Sequence, residues 1–335
     1  MYDQLISAAL TILIGVGGCA AYFYGSNWVL DRIYPYKAAD GAAAVRNERR
    51  ATAIRPWLFL LPSLVALGLY LVYPVIDSVV RSFMDRNSDN FVGLANYTWL
   101  FNDGGFWESL RNNFLWLLFV PAMATAFGLL IAVLTDRIWW GNIAKTLIFM
   151  PMAISFVGAS VIWNFIYKYD SGENQTGLLN ALITSLGGEP QVWLQVPFWN
   201  NFFLMIILVW IQTGFAMVIL SAALRGIPEE TIEAAVIDGA NPFQIFFKIM
   251  IPQIMGTIAV VWTTITILVL KVFDIVLAMT NGQYGTEVLA NYMYSWAFRA
   301  GDFGRASAIA IVIMALVIPV MIWNIKRANA EMEGH

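Results

Sequence analysis

Residues 225–252, RGIPEETIEAAVIDGANPFQIFFKIMIP, form a polar stretch between two long apolar runs at about 201–223 and 254–280. Each run is long enough to cross a hydrocarbon core of about 30 Å as a helix. Charged side chains are costly inside a bilayer, so the segment between the runs must be a loop in water. This arrangement indicates a membrane protein built from helices.

Five further apolar runs lie elsewhere in the chain, at about 4–24, 57–79, 113–134, 146–167 and 306–325. Hydrophobic residues make up 59% of the 335 residues and charged residues 12%, whereas an average soluble domain is about 25% charged. The predicted fold class is therefore all-α, a polytopic transmembrane helical bundle of about seven spans.

The chain divides into residues 1–56, an N-terminal helix with a polar, basic linker at 25–56, and residues 57–335, a six-span core. The first apolar run could instead be a signal peptide with a cleavage site near Cys19. A signal peptide needs a basic segment before its apolar core, and Asp3 is the only charge there. The sequence therefore favours a retained helix.

The Lys and Arg residues predict the orientation, because loops on the cytoplasmic side carry the excess of positive charge. Twelve of the nineteen lie on one set of connecting segments, six lie on the other set, and Lys271 falls inside a span. We expect a bacterial inner-membrane protein with a periplasmic N-terminus and a cytoplasmic C-terminus. The long outside segments at about 81–112 and 168–200 are rich in aromatic residues and predict short surface helices.

The composition argues against several other classes. Cys19 is the only cysteine, and the only histidine is the terminal His335. A nucleophile paired with a histidine base, or a metal centre built from several such ligands, is therefore not expected. A net charge of -3 also argues against nucleic acid as a partner.

The loop at 225–252 is predicted to form two short helices. Pro228 suits a first helical turn, and Glu229 and Glu230 complement the positive end of the helix. Gly239 can end this helix in a left-handed conformation, and Asn241 can cap the next one. Such a small loop helix, apolar on one face and acidic at its edges, is suited to docking into a groove of another protein.

The spacing of the residues within this loop resembles a known motif. Glu233-Ala234-Ala235, then Gly239, then Ile249, Ile251 and Pro252 match the EAA loop, E-A-A-x3-G-x9-I-x-L-P, of membrane subunits from binding-protein-dependent ABC importers. Ile251 in place of leucine is the only departure. Other segments resemble the carbohydrate branch of that superfamily, and the added N-terminal helix resembles its α-glucoside permeases. These segments are Arg55-Pro-Trp57, Tyr73-Pro74, 91–97, 271–274 and 287–305.

The resemblance implies a permease subunit of an ATP-driven sugar importer, and no enzyme activity in this chain. Its implied partners are a second related permease, a homodimer of cytoplasmic ATPase subunits, and a periplasmic or surface-tethered sugar-binding protein. The loop would insert into the ATPase through residues around Glu233, Ala234, Ala235, Asp238, Gly239, Ile249 and Pro252. No cofactor is expected in this chain, because it lacks a phosphate-binding G-x4-G-K-[ST] motif, so ATP would bind the partner.

The apolar run at about 254–280 contains two ionisable residues, and each has two interpretations. Lys271 and Asp274, three residues apart, would share one face of a continuous helix. They either line the substrate pathway or form a structural pair that joins this span to a neighbour. Five other polar or aromatic residues could contact a sugar, although packing within the bundle is the alternative for each; they are Asn164, Tyr167, Trp210, Gln212 and Asn291.

Three other functions remain open at this point. Within the same class, the solute could be a polyol or another small molecule. An ion-coupled secondary transporter would use Lys271 and Asp274 for coupling. A membrane enzyme is disfavoured by the absence of an internal histidine and of clustered carboxylates in the spans.

Overall fold

The computed structural model describes residues 2–35, 41–136, 138–172 and 174–333. Within these ranges every regular element is a helix or helical turn, apart from an isolated antiparallel bridge between Met84 and Phe91. The predicted all-α fold class is confirmed. Lys37 and Arg137, which contributed to the predicted orientation, and His335 lie outside the described residues.

The described helices are sufficient in number and length for the predicted spans. Five are long and apolar enough to cross a membrane, and seven spans result if each of two bent helix pairs counts as one. The chain divides into two compact units, Met1–Asp77 and Ser78–His335.

The first unit contains α1 (Tyr2–Ile33) and α2 (Gly41–Leu67). Arg55 of α2 forms an ion pair with Asp31 of α1 at 2.8 Å. The Tyr22 hydroxyl of α1 also donates a hydrogen bond to the Leu58 carbonyl of α2 at 2.8 Å. These contacts hold the two helices together over about one turn of α2.

Residues 25–33 and 41–56, which belong to the predicted polar linker, are helical. Alanine and arginine, the main residues at 42–51, are strong helix formers even in a polar segment. Helix α2 therefore begins well before the apolar run at 57–79. α2 passes through a π-helical turn, Gly68–Val72, into α3 (Tyr73–Arg81).

The second unit is built around α5 (Gly104–Asp136) and α9 (Trp199–Arg225), which pack along their length. The two backbones approach closely at Gly128, where an added Cβ would lie 2.5 Å from the Ala216 Cβ and 2.8 Å from the Met217 amide nitrogen. Small residues allow such close packing of membrane helices. Helices α13 (Met255–Leu270) and α16 (Phe303–Glu333) complete the bundle.

The predicted span at 146–167 is broken rather than straight. It consists of α6 (Gly141–Phe149), a 3-10 turn Met150–Ala153, and α7 (Phe156–Tyr167), with a bend of 107° between the two helices. Pro151 lies in the turn, and Ser155 begins α7 by accepting a hydrogen bond from the Gly158 amide at 3.1 Å. A proline followed by a good N-cap favours ending one helix and starting another.

The predicted span at 254–280 is also interrupted. Helix α13 ends at Leu270, and a separate helix α14 (Asp274–Met279) follows. Phe273, at φ −145° and ψ −58°, separates them. Lys271 and Asp274 therefore do not share one face of a continuous helix, and among the described residues no ion pair joins them.

Short helices occupy the two long segments at about 81–112 and 168–200, as expected: α4 (Ala95–Asn102) and α8 (Leu178–Ser185). The loop after α14 leads to α15 (Leu289–Tyr294). Buried asparagines hold this loop, because Asn112 of α5 donates to the Gly285 and Glu287 carbonyls and Asn201 of α9 donates to the Gly285 carbonyl. The face of the bundle that carries these segments is called the opposite face below, and the one with residues 225–252 is called the loop face.

Candidate functional site

The loop face carries the two short helices that the sequence predicts. Helix α10 (Glu229–Ile237) begins after Pro228, with Glu229 and Glu230 in its first turn. After a turn, α11 (Pro242–Ile245) leads through a π-helical turn, Phe246–Met250, into α12 (Ile251–Gln253). The axis then bends by 69° into α13.

The turn between α10 and α11 depends on Gly239. Its φ is +81°, a left-handed conformation that glycine adopts without steric cost. The Gly239 amide donates to the Val236 carbonyl at 3.0 Å, and the Ala240 amide donates to the Ala235 carbonyl at 2.9 Å. These two bonds form a Schellman motif, which satisfies the last carbonyl groups of α10.

The next helix begins with a capping box. The Asn241 side chain accepts a hydrogen bond from the Gln244 amide, and the Gln244 side chain accepts one from the Asn241 amide, both at 2.9 Å. Each bond satisfies an amide that the start of a helix leaves unpaired. The turn and the cap together hold α10 and α11 in a defined relative position.

The predicted motif residues fall into two groups on this scaffold. Ala235 is buried, 7% exposed, and Ile249 is half-buried. The other motif residues lie at the surface and are free to contact another molecule; they are Glu233, Ala234, Asp238, Gly239 and Pro252.

An apolar patch accompanies the exposed motif residues. Ile237 is 84% exposed and Phe243 is 77% exposed, and Val236 and Phe247 are also exposed. These four residues are called the loop patch. Sequence reasoning predicted an apolar face on this loop but did not name Ile237, Phe243 or Phe247; the available signal was two phenylalanines, Phe243 and Phe247, within a loop already predicted to lie in water.

An ionic cluster lies at the base of the loop. Asp136, the last residue of α5, forms ion pairs with Lys145 of α6 and with Arg225 at the end of α9. Lys145 also donates to the Ser221 hydroxyl at 2.5 Å, and the Arg225 Nη2 lies 2.8 Å from Asp136 Oδ1. Sequence reasoning counted the basic residues but missed Asp136, whose position at the end of an apolar run was the available signal.

A cavity of about 440 Å³ adjoins this cluster and is lined by Asp136, Arg225, Asn142 and Met250, among others. The cluster joins three helices at the point where α9 enters the loop. It therefore fixes the position of the loop relative to the bundle.

The structure does not gather the seven predicted pathway residues into one cavity. Trp210 lines an apolar cavity of about 690 Å³ together with Trp163, and the other six residues are not among its lining residues. Tyr167 is buried and donates to the Phe203 carbonyl at 2.9 Å. Gln212 is buried within α9, whereas Asn164 and Lys271 are exposed and Asp274 is half-buried.

Asn291 lies in a polar cluster on the opposite face. Its side chain is fully buried and donates to Glu287 Oε1 at 2.8 Å, which also accepts a bond from the Val288 amide at 3.1 Å. Burial raises the pKa of the Glu287 carboxyl, and the nearby charge of Glu108 acts in the same direction. These contacts are structural in character and occupy the amide nitrogen of Asn291.

Two bent helix pairs and an exposed, capped two-helix loop between apolar helices are features expected of a transport permease. The chain belongs to the family described as binding-protein-dependent transport system inner membrane components, whose model matches residues 124–324. The predicted ABC importer permease class is thereby confirmed, and the relatives are permeases rather than enzymes. Membership of this class excludes the ion-coupled transporter and the membrane enzyme as interpretations.

Curated relatives match the chain over most of its length. The α-glucoside transport system permease AglF of Rhizobium meliloti is 71% identical over 99% of this chain and 100% of its own. The osmoprotective compounds uptake permease GgtC of Synechocystis is 52% identical over 82% of this chain and 99% of its own. Among solved structures, a bacterial ABC transporter that imports alginate matches with a TM-score of 0.73 at 22% identity, covering 84% of this chain and 99% of its own.

Proposed function

We propose that this chain is a permease subunit of an ATP-driven importer for an α-glucoside, such as a di- or oligosaccharide. The observation that carries this proposal is the 71% identity to AglF, which extends over 99% of the chain. Because about 1% of the chain lies outside the match, the similarity is not limited to the predicted six-span core 57–335 and extends into the predicted N-terminal division 1–56. The identity to GgtC supports a second candidate, uptake of an osmoprotective solute such as a polyol derivative.

The loop on residues 225–252 is the proposed coupling element. Its exposed apolar patch and its acidic residues, among them Glu233 and Asp238, suit a cleft with an apolar floor and a basic rim. Such a cleft would belong to one subunit of a cytoplasmic ATPase homodimer, which binds the ATP. Closure of that dimer would move α9 and α13 through the capped loop and the Asp136 cluster.

The remaining partners and the orientation belong to the same proposal. A second related permease would form the pathway with this chain, and a periplasmic or surface-tethered sugar-binding protein would dock on the opposite face. The loop face and the C-terminus would be cytoplasmic and the N-terminus periplasmic. The seven pathway residues stay a prediction, and Asn164 and Lys271 are those exposed for contact with a partner or a sugar.

Co-purification tests the coupling proposal. Ile237→Asp introduces a charge on a side chain that is 84% exposed, so it should not disturb folding. We expect this variant, and also Glu233→Arg, to lose most of the co-purifying ATPase while the second permease is retained. Leu186→Asp, at a position 79% exposed on the opposite face, is the matched control and should retain both. Retention of the ATPase by Ile237→Asp and Glu233→Arg would contradict the coupling role.

Uptake by the reconstituted complex tests the substrate. We expect ATP-dependent uptake of a labelled α-linked glucose disaccharide in the presence of its binding protein, with competition by other α-glucosides and none by the β-linked isomer. Competition by a polyol but not by α-glucosides would favour the second candidate. Uptake by this chain alone, without ATP, would contradict the proposed function.

A further inference from the structure

A basic stripe in the first unit has no role in the coupling or substrate proposals. Arg46, Arg49 and Arg50 lie near the start of α2, and all three are exposed. With 3.6 residues per helical turn, their side chains leave the helix within one arc of about 100°. Glu48 leaves on the far side of the helix and does not neutralise them.

The other two arginines of this unit already have partners. Arg55 is paired with Asp31 at 2.8 Å. The Arg32 guanidinium lies over the Trp28 ring, 5.4 Å from its centroid. Within the described part of the chain, Arg46, Arg49 and Arg50 form no ion pair, so their charge is available to an external anion.

The same face of α2 continues into the apolar part of a candidate membrane span, Gly41–Arg81. Trp57 lies eleven residues after Arg46, which returns to the same side of the helix within about 20°. It is 67% exposed, and the apolar side chains that follow on this face, Leu60 and Leu64, are also exposed. Tryptophan on a lipid-facing surface favours the membrane interface.

Distances along the helix place the arginines beside the lipid headgroups. At 1.5 Å per residue, Arg50 lies about 10 Å and Arg46 about 16 Å from Trp57 along the axis. The headgroup layer is about 5 to 8 Å thick on each side of the core. The potential of an anionic surface extends about 8 Å further into physiological solution.

We propose that the stripe formed by Arg46, Arg49, Arg50 and Trp57 binds the headgroups of anionic phospholipids in the leaflet that it faces. A lipid surface is favoured over a protein partner because the arginines continue a face on which Trp57, Leu60 and Leu64 are apolar and exposed within a candidate membrane span. The arginines supply phosphate-binding guanidinium groups. The tryptophan fixes the depth of the helix in the interface.

Local lipid composition at the stripe tests this inference. Ala53 is exposed between Arg50 and Trp57 on the same face. Full-length chain with Cys19→Ser and Ala53→Cys would carry a fluorophore at residue 53, in vesicles of phosphatidylcholine and phosphatidylglycerol at four to one. Quenching by headgroup-labelled phosphatidylglycerol is compared with quenching by equally labelled phosphatidylcholine.

Each basic residue at an anionic surface contributes about a fivefold preference at most, so we expect a local enrichment of phosphatidylglycerol of about three- to tenfold. In the triple Arg46→Gln, Arg49→Gln, Arg50→Gln variant, the ratio of quenching by phosphatidylglycerol to quenching by phosphatidylcholine should fall to the value expected for the bulk lipid. The triple lysine variant should retain at least half of the enrichment, and Glu48→Gln should not lower it.

Equal quenching ratios for the wild-type chain and the triple glutamine variant would overturn the inference. Displacement of phosphatidylglycerol by inorganic phosphate, beyond the effect of chloride at equal ionic strength, would overturn it in favour of a soluble phosphate ligand. Loss of the ATPase from the triple glutamine variant with an unchanged lipid ratio would overturn it in favour of a protein contact. The proposed transport function is unaffected by any of these results.

Discussion

Gly239 shows how one residue determines the geometry of the loop. Its φ of +81° is required for the turn, but an added Cβ would meet no atom within 4 Å. The cost of a substitution therefore comes from the backbone conformation alone, about 1 to 2 kcal/mol for a residue that avoids the left-handed region. A substitution would therefore change the relative position of α10 and α11, because both hydrogen bonds of the Schellman motif depend on that turn.

We predict that Gly239→Val weakens ATPase co-purification by about tenfold, the equivalent of 1.4 kcal/mol, while the bundle retains its thermal stability. Asparagine tolerates the left-handed conformation, so Gly239→Asn is the matched control and should remain close to wild type. Equal losses in the two variants would indicate that the absence of a side chain, rather than the backbone conformation, is what matters at this position.

The raised pKa of the Glu287 carboxyl leads us to predict that the stability of the folded chain depends on pH. Its raised pKa is caused first by burial and then by the Glu108 charge, against the opposing effects of Asn291, the Val288 amide and Arg299. Because the folded-state pKa lies above the unfolded value, the folded chain binds the proton more tightly. Its contribution to stability is present below the unfolded pKa of about 4.3 and is lost as pH rises through the folded pKa.

We therefore expect Glu287→Gln to raise the melting temperature at neutral pH, because it removes a poorly solvated charge and keeps an oxygen acceptor for Asn291. The difference from wild type should vanish near pH 4, where the wild-type carboxyl is protonated. Melting curves from pH 4 to 8 measure this, with Glu189→Gln as an exposed control. A gain that does not depend on pH would contradict the assignment.

At the scale of elements, the packing of α5 against α9 determines the shape of the second unit. The close approach at Gly128 leaves no room for a methyl group, since its Cβ would lie 2.5 Å from the Ala216 Cβ. In contrast, Gly17 of α1 has no atom within 4 Å of an added Cβ. The same substitution thus tests packing at one position and helix propensity at the other.

We predict that Gly128→Ala destabilises the chain by about 1 to 3 kcal/mol through overpacking. Gly17→Ala should be neutral or stabilising by up to about 1 kcal/mol, because alanine is the better helix former. Thermal unfolding of each variant in the same detergent measures both. Similar effects at the two positions would argue against a tight α5–α9 contact.

At the scale of the whole molecule, the orientation in the membrane is open to direct measurement. In a Cys19→Ser background, Glu189→Cys places a thiol on the opposite face and Lys248→Cys places one on the loop face, both at exposed positions. We expect a membrane-impermeant maleimide to label Glu189→Cys in spheroplasts and to label Lys248→Cys only after the membrane is opened. The reverse pattern would invert the proposed orientation.

Much of the architecture was predictable because it depends on local properties of the sequence. Apolar runs of sufficient length must form helices in a bilayer, since every backbone polar group needs a partner within the chain. The spacing of Glu233, Gly239 and Pro252 was sufficient to predict the family, and the coupling role of their loop stays a prediction. Local capping chemistry at Gly239 and Asn241 was likewise predicted correctly.

Tertiary structure alone decided the features that depend on contacts between distant segments. The bend near Ser155 and the interruption at Phe273 lie inside runs that are long and apolar enough to be predicted as single spans, so mean hydropathy alone did not separate their helices. The Asp136 cluster joins residues from three helices, and the exposure of Ile237 and Phe243 follows from how α10 and α11 pack. The sequence alone does not show whether an apolar side chain contacts lipid, the protein core or a partner, because only its neighbours in space distinguish these environments.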